Sequence, residues 1–381
     1  MQKCVPRILL TDLNNSGLLF QAKCGVRIKS GDKEKVMISG AVDPSKKVAI
    51  KKATYEFYER LQSVYRGKGI TLKSLASIKS NFVSPYTLVK HSREKLPHIH
   101  DAVYWAKSRN LDTKSFAYIP ATSVFSFYNN NADTFQLKID ANGLAAHSSL
   151  GNAVLHGFLE VIERDQIQLF WDAVNAPGLQ LNGWEGIIDS KIKIFLDRYS
   201  YAPTIVYLDE FSKLGLHTVL ALLSNEEGKI TIGSATDTDV ISVIRRAILE
   251  GIMLHETVKT CRDKKLPRYP RNSLERVLLG YKNSNRLQKY VSQKIKQRIE
   301  VGKILNYTKP RNTVFEKVIG PAYSYEFPRA ANGAHIVRVV VPAAHRRHEP
   351  YKNAKQIRSE RLLKYLDKYG HEYNNLANPY G

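Results

Sequence analysis

Residues 143–171 read GLAAHSSLGNAVLHGFLEVIERDQIQLFW, and the organisation of the whole chain follows from how this stretch is read. Gly143 supplies a turn, and Ser148 and Ser149 supply N-cap candidates, so one long helix is predicted from Gly151 onward. At 100° per residue, Val154, Leu155, Phe158, Val161 and Ile162 fall on one side of that helix and Asn152, His156, Glu160 and Glu163 on the other. Two carboxylates therefore stand one turn apart on a single polar face. An amphipathic helix with a solvated side explains one such pattern, and it is the commoner arrangement.

The pattern recurs upstream. In SKKVAIKKATYEFYERL, Ala49, Glu56, Glu59 and Arg60 repeat the spacing of Ala153, Glu160, Glu163 and Arg164, while Ile50, Ala53, Phe57 and Leu61 take the opposite arc. A third helical stretch, DTDVISVIRRAILEGIMLHE, places Glu250 at the matching distance from Val243, with Met253 where a second carboxylate would stand. Three acidic-faced helices in one chain suggest a shared site and an internal duplication.

The 381 residues, 43% of them hydrophobic, can fill one large core. No apolar run reaches the roughly 18 residues of a membrane span, and MQKCVPRILLTDLNNSG lacks a signal-peptide core, so a soluble, cytoplasmic protein is expected. Cys4, Cys24 and Cys261 are odd in number and far apart, which argues against a disulfide framework or a structural zinc site. The formal charge of +23 invites a nucleic-acid reading. That charge is spread along the chain, apart from residues 259–311 and the run His345, Arg346, Arg347, His348, and no RNA-recognition, zinc-finger or helix-turn-helix motif accompanies it. An anionic nucleotide or acidic peptide steered by the field is the favoured use.

Short strands are expected at 17–24 and 35–39, and a buried strand and turn at 116–127. Residues 204–209, 217–223 and 229–233 read as strands, with Gly228 in a hairpin turn. Residues 271–301 read as helical, Lys-rich and exposed, 335–342 as a strand stopped by Pro342, and 356–369 as a closing helix. His98, Ile99, His100 and Asp101 form either a metal-binding cluster or a surface loop after Pro97; the loop is favoured, because no further ligands follow at helical or hairpin spacing. No Gly-, Pro- or Ser-rich linker divides the chain, so a single mixed α/β (α+β) domain over 1–345 is expected, followed by a C-terminal helix and tail over 346–381.

The sequence holds no GxxxxGK(S/T) loop, GxGxxG turn, HExxH, GxSxG or CxxC pair. ATP can still be bound where carboxylates hold Mg²⁺ and the metal holds the phosphates, since Mg²⁺ favours oxygen ligands shared between protein and triphosphate. Two ExxE faces and Glu250 meet that demand, and a divalent cation relieves the repulsion among crowded carboxylates. Arg60 and Arg164 either orient the neighbouring glutamates and reach phosphate oxygens or form salt bridges on the helix surface.

Taken together, ISGAVDPSKKVAIKKATYEFYERL, ANGLAAHSSLGNAVLHGFLEVIERD and VISVIRRAILE resemble the three ATP-site segments of the YcaO family, over roughly residues 39–342. The resemblance implies a YcaO-like fold in which ATP and Mg²⁺ sit among helices bearing ExxE pairs. By matching position it implies Glu56, Glu59, Asn152, Glu160 and Glu163 as metal ligands, with Ser148, Arg164 and Glu250 as ATP and phosphate contacts. This chain departs from the common pattern at His147, where a glycine is usual, at Asn152, where an acid is usual, and at Met253, where a glutamine is frequent. An amide can coordinate Mg²⁺ through its oxygen but contributes no charge.

The resemblance further implies activation of a backbone amide in a ribosomally made precursor peptide. In the azoline-forming branch, favoured here, a Cys, Ser or Thr side chain attacks the preceding carbonyl, the resulting oxyanion takes the γ-phosphoryl group of ATP, and phosphate leaves with the oxygen. Thioamide- and amidine-forming relatives use the same activation with sulfur or an amine, and an accessory protein without catalysis is a further alternative. The tail LANPYG offers the Gly381 carboxylate as a base if it folds inward, or is an ordinary frayed end. A separate leader-peptide-binding partner is implied, either ubiquitin-activating-enzyme-like or of TfuA type, as are a flavin-dependent oxidase in the same complex and a homodimer.

Overall fold

The computed structural model describes residues 6–30, 33–64, 69–92, 94–126, 128, 130, 132–137, 142–261, 273–305, 316–346 and 354–374. Along the chain run β1 (Arg7–Asp12), β2 (Phe20–Ser30), β3 (Lys33–Asp43), α1 (Lys46–Ser63), β4 (Ile70–Ser74), α2 (Pro85–Leu88), β5 (Ala102–Asn110), β6 (Phe116–Pro120), β7 (Leu144–His147) and α3 (Leu150–Asp172). There follow β8 (Gly178–Asn182), α4 (Ser190–Arg198), β9 (Ala202–Leu208), β10 (His217–Ser224), β11 (Ile230–Asp237), α5 (Val240–Cys261), α6 (Ser273–Lys282), α7 (Ser284–Lys294), β12 (Ile295–Glu300), α8 (Val301–Leu305), α9 (Glu316–Ile319), β13 (Tyr323–Glu326), β14 (His335–Val340) and α10 (Glu360–Tyr369). Two compact units result, one from residues 1–57, 177–310 and 377–381, the other from 58–176 and 311–376, so that α1 runs across the division. Among the described residues no helix is long and apolar enough to cross a membrane.

The first unit holds an antiparallel meander, β1-β2-β3, and a sheet of order β11-β10-β9-β8-β12 in which only β8 and β12 run parallel. Helix α5 lies on β10 and β11 and also reaches β3. Its stripe of Val240, Val243, Ile244, Ala247, Ile248 and Ile252 recurs every three to four residues, and with Phe195, Ile205, Tyr207, Val219 and Leu223 it forms the core. The helix sits so close that a Cβ on Gly233 would stand 2.0 Å from the Ala247 carbonyl oxygen. In helix α1 Ala49, Ala53 and Phe57 are buried, and the Ser39 hydroxyl of β3 donates to the Ala53 carbonyl oxygen at 2.6 Å.

The second unit is built on an antiparallel sheet of order β4-β5-β13-β14-β7, with β6 paired to β5. Helix α3 packs on β14 and β7. Trp105, Ile119, Phe135, Phe158, Phe170, Ile336 and Val337 are all buried in this unit.

Two expectations are corrected. Residues 295–300 are not helical: after α6 and α7 the chain becomes β12, which pairs in parallel with β8, and Lys294 just before it is buried. A partner strand distant in sequence decides that segment, and its composition, two isoleucines among Lys, Gln, Arg and Glu, does not announce it. The closing helix starts at Glu360 rather than at 356, because Ser359 accepts the Leu362 N–H as an N-cap while Ile357 forms a bridge with His91. The strands at the N-terminus are longer than expected, Phe20–Ser30 and Lys33–Asp43, while Gly17 lies in a turn with φ +67°.

Candidate functional site

Each of the three acidic helices follows a strand across a short turn, and each carries a glutamate that accepts a backbone N–H from that strand or its entrance. The Gly40 N–H donates to Glu56 Oε2 at 3.2 Å, the Gly143 N–H to Glu160 Oε2 at 3.1 Å and the Ser234 N–H to Glu250 Oε2 at 2.6 Å, bridging 16 or 17 residues each time. Glu59 is held likewise, its Oε1 taking the Ala146 N–H at 2.6 Å in the second unit. These hydrogen bonds fix one oxygen of each carboxylate and set the direction of the other. Glu56 and Glu250 belong to the first unit, Glu59, Glu160 and Glu163 to the second.

At the head of α3 the Ser149 hydroxyl accepts the Asn152 N–H, as expected of an N-cap. His147 turns back on the same entrance: its Nδ1 accepts the Ser149 N–H at 3.2 Å, and its ring stacks on His156 with centroids 5.5 Å apart. Ser148, Asn152 and His156 are exposed. The His147 imidazole is thus a capping and stacking group.

One turn further in, the surroundings change. Glu160 is half-buried and Glu163 is buried at 6% exposure. Burial pushes the Glu160 carboxyl up to about 7, with the Glu163 charge adding to the rise, while Arg164, Arg338 and the Gly143 N–H oppose it. The face read as solvated in the amphipathic alternative is therefore open at Asn152 and His156 and closes progressively through Glu160 to Glu163. Gly143 itself has φ +77°, and a Cβ there would stand 2.1 Å from the Val339 carbonyl oxygen, so only glycine serves.

In the first unit Asp43, 1% exposed, closes the β3 to α1 turn by accepting the Ser45 N–H at 3.0 Å, and it also binds Lys52 at 2.9 Å and Arg245 at 3.0 Å. Burial works to raise its carboxyl, but the Ser45 hydrogen bond and the two cations outweigh it and leave the group below its usual range. Arg246 pairs with Asp237 at 3.1 Å. Met253 is packed against the core of this unit, and a Cβ on Gly40 would meet its sulfur at 3.9 Å. The missing carboxylate of the third helix is thus replaced by a core side chain.

All donors singled out for metal are hard carboxylate or amide oxygens, which is what Mg²⁺ selects, and a half-buried carboxyl held near 7 beside a second carboxylate is a group that a divalent cation would relieve. They fit Mg²⁺. Among the described residues no three or more His, Cys, Asp or Glu come together as a group that could hold a metal ion by themselves, and His98, His100 and Asp101 are no exception. Instead Asp101 accepts the His98 N–H at 2.8 Å, as a surface turn does. Gly381, Arg347 and His348 lie outside the described residues. Asp43 and Arg338 are not singled out by the sequence: the DPS turn following a strand is a local signal for the first, and nothing local signals the second.

A family profile described as YcaO cyclodehydratase, ATP- and Mg²⁺-binding, matches residues 44–345. A protein of uncharacterised function from Methanothermobacter thermautotrophicus is 30% identical over 152 residues, and the match spans 38% of this chain and 39% of that relative. A heterocyclase in complex with substrate and cofactor has a similar structure at TM-score 0.76 and 16% identity, over 98% of this chain and 54% of that one. YcaO from Methanopyrus kandleri, bound with AMPPCP and Mg²⁺, is similar at TM-score 0.65 and 16% identity over 98% of this chain and 90% of its own. A chain of the E. coli microcin synthetase McbBCD complex is similar at TM-score 0.66 and 14% identity, over 90% of both chains. At these identities the structural likeness is one of fold.

Proposed function

The chain belongs to the YcaO family, and on that premise we propose that it is an ATP- and Mg²⁺-dependent enzyme that forms azolines in a ribosomally made precursor peptide. In the proposed reaction a Cys thiol or a Ser or Thr hydroxyl of the peptide adds to the carbonyl carbon of the preceding amide and gives its proton to a base. The resulting oxyanion takes the γ-phosphoryl group of ATP, and ADP leaves. Loss of phosphate with the former carbonyl oxygen, and of the amide proton, leaves the C=N bond of a thiazoline or oxazoline.

The observation that carries this reading is the α3 carboxylate pair: Glu160, braced by the Gly143 N–H and held near 7, one turn from buried Glu163. In the proposal Glu56, Glu59, Glu160, Glu163 and the Asn152 amide oxygen hold Mg²⁺, while Glu250, Arg164 and Ser148 contact the nucleotide. Mg²⁺, when bound, neutralises phosphate charge and aligns the γ-phosphoryl group. The chain's own contribution is placement: N–H groups fix one oxygen of Glu56, Glu59, Glu160 and Glu250, so little reorganisation is needed when ligands arrive. The neighbour with substrate supports a precursor peptide, and the one inside a synthetase complex supports partner proteins; in the proposal these partners are a separate leader-binding protein, ubiquitin-activating-enzyme-like in the favoured branch, and a flavin-dependent oxidase. A homodimer and a cytoplasmic location complete the proposal.

The test is the intact mass of a candidate precursor peptide co-expressed with this protein and its partner. Loss of whole waters is the expected result. Replacement of oxygen by sulfur would move the activity to thioamide formation and the partner to TfuA type. An unchanged mass, with the partner present and ATP bound, would remove the catalytic reading.

A further inference from the structure

Arg338 lies in the middle of β14, 1% exposed, in a sheet whose neighbouring buried residues are aliphatic. An arginine is almost never fully enclosed unless its donors are matched, because losing water around a guanidinium is expensive. Here each nitrogen has a partner: Nη1 donates to the Asn142 carbonyl oxygen at 2.6 Å, Nη2 to the Ser126 hydroxyl at 2.9 Å and Nε to the Val124 carbonyl oxygen at 3.1 Å. The first of these matters most. Asn142 immediately precedes Gly143, whose N–H holds Glu160, and the Val339 N–H returns to the Gly143 carbonyl oxygen at 2.7 Å. The turn is thus gripped on both sides by consecutive residues of β14.

We propose that Arg338 is the positioning residue of the Glu160 half-site: its fork fixes the turn at 142–143, and the turn fixes the carboxylate. What Glu160 holds rests on the Mg²⁺-ATP reading; how Glu160 is held does not. A lysine cannot replace the fork, since one ammonium cannot reach three divergent acceptors in a fixed plane. The resulting chain of dependence is Arg338 to the Asn142 carbonyl, to the Gly143 amide, to Glu160.

Two measurements on the full-length chain test this, with Arg338→Lys and Arg338→Met compared with Ser126→Ala, which removes a single acceptor. Amide hydrogen exchange on ligand-free protein is expected to rise at Gly143 in both Arg338 variants, above any general rise in the second unit, and to stay near wild type in Ser126→Ala. The Mg²⁺ concentration supporting half-maximal ATP binding is expected to rise about tenfold in the Arg338 variants, as loss of a supporting contact behind a metal ligand typically does. Where Arg338→Met does not fold, Arg338→Lys decides. A folded Arg338→Lys protein with wild-type exchange at Gly143 overturns the proposal. Wild-type protein that binds no Mg²⁺-ATP removes the functional reading, while the exchange result still decides the positioning role.

Discussion

At the scale of single residues, Glu160 carries the sharpest consequence. Its folded value of about 7 lies above the ordinary 4.5, so the native state holds this proton more tightly than the unfolded chain does. The contribution to stability is complete at low pH and is lost as pH rises through about 7. Ligand-free protein should therefore lose on the order of 1–3 kcal/mol from this group between about pH 5 and pH 8. Glu160→Gln should fold, lack that component, and match or exceed wild type in urea unfolding at about pH 8. It should also show no ATP turnover, because an amide supplies no charge for a cation. Mg²⁺-dependent ATP binding to wild type should strengthen as pH rises towards 7, since the cation displaces the proton. Wild-type turnover in Glu160→Gln, or equal pH dependence in both proteins, would detach Glu160 from the site. Glu160 could be picked out in the sequence because its partners recur at fixed spacing. Arg338 could not: its acceptors Val124, Ser126 and Asn142 are brought to it by the sheet from some two hundred residues away, and no local pattern records that.

At the scale of elements, α3 shows where helical periodicity stops informing. Its period correctly separates Phe158, Val161 and Ile162 from Glu160, and the helix was legible over nearly its full length. Its second half, however, buries Glu163, Asp165, Gln166, Gln168 and Asp172, which a hydropathy pattern assigns to solvent. Gln168 donates to Asp172 within the helix, and Asp165 and Asp172 take partners from residues 345–361. His345 Nε2 lies 2.8 Å from Asp172 Oδ2 and its Nδ1 2.9 Å from the Ser359 hydroxyl, while Asp165 accepts the His345 N–H and the Arg361 Nε–H, both at 2.7 Å. The imidazole thus bridges Asp172 and the Ser359 hydroxyl, whose oxygen also caps α10 by accepting the Leu362 N–H. The Ser–His–Asp order resembles a hydrolase triad, but all three residues are buried, so the arrangement fastens α10 and the segment before it to α3. Asp172→Ala removes the acceptor for both His345 and Gln168 and should cost about 2–4 kcal/mol in urea unfolding. Exchange should rise through α10, with Glu160 and the ATP-binding constant unaffected. A loss below about 0.5 kcal/mol would show that water takes over the vacated positions. Residues 295–300 make the same point for strands, since parallel pairing with β8 settles a segment whose own composition is indifferent.

At the scale of the whole molecule, two charge distributions of opposite sign are superposed. The chain carries a formal +23, with Lys and Arg spread over its length, while the side chains proposed to serve ATP and Mg²⁺ include five glutamates. Close to those carboxylates the local charge repels a bare triphosphate, and their oxygens reward the nucleotide only when a cation accompanies it. At distances of a Debye length or more the individual carboxylates merge into the net charge, which attracts polyanions of any kind. Capture is thus governed by the molecule and selection by the helices. It follows that KM for Mg²⁺-ATP should rise about three- to tenfold between about 50 and 300 mM monovalent salt with kcat unchanged, because screening weakens encounter and leaves the bound complex intact. ATP without Mg²⁺ should bind poorly at every salt concentration. Nucleic acid should be held at low salt and released as salt rises, with no preference for sequence. A KM that ignores salt would place recognition wholly in short-range contacts, and a salt-resistant, sequence-selective complex with nucleic acid would assign the basic surface a purpose of its own.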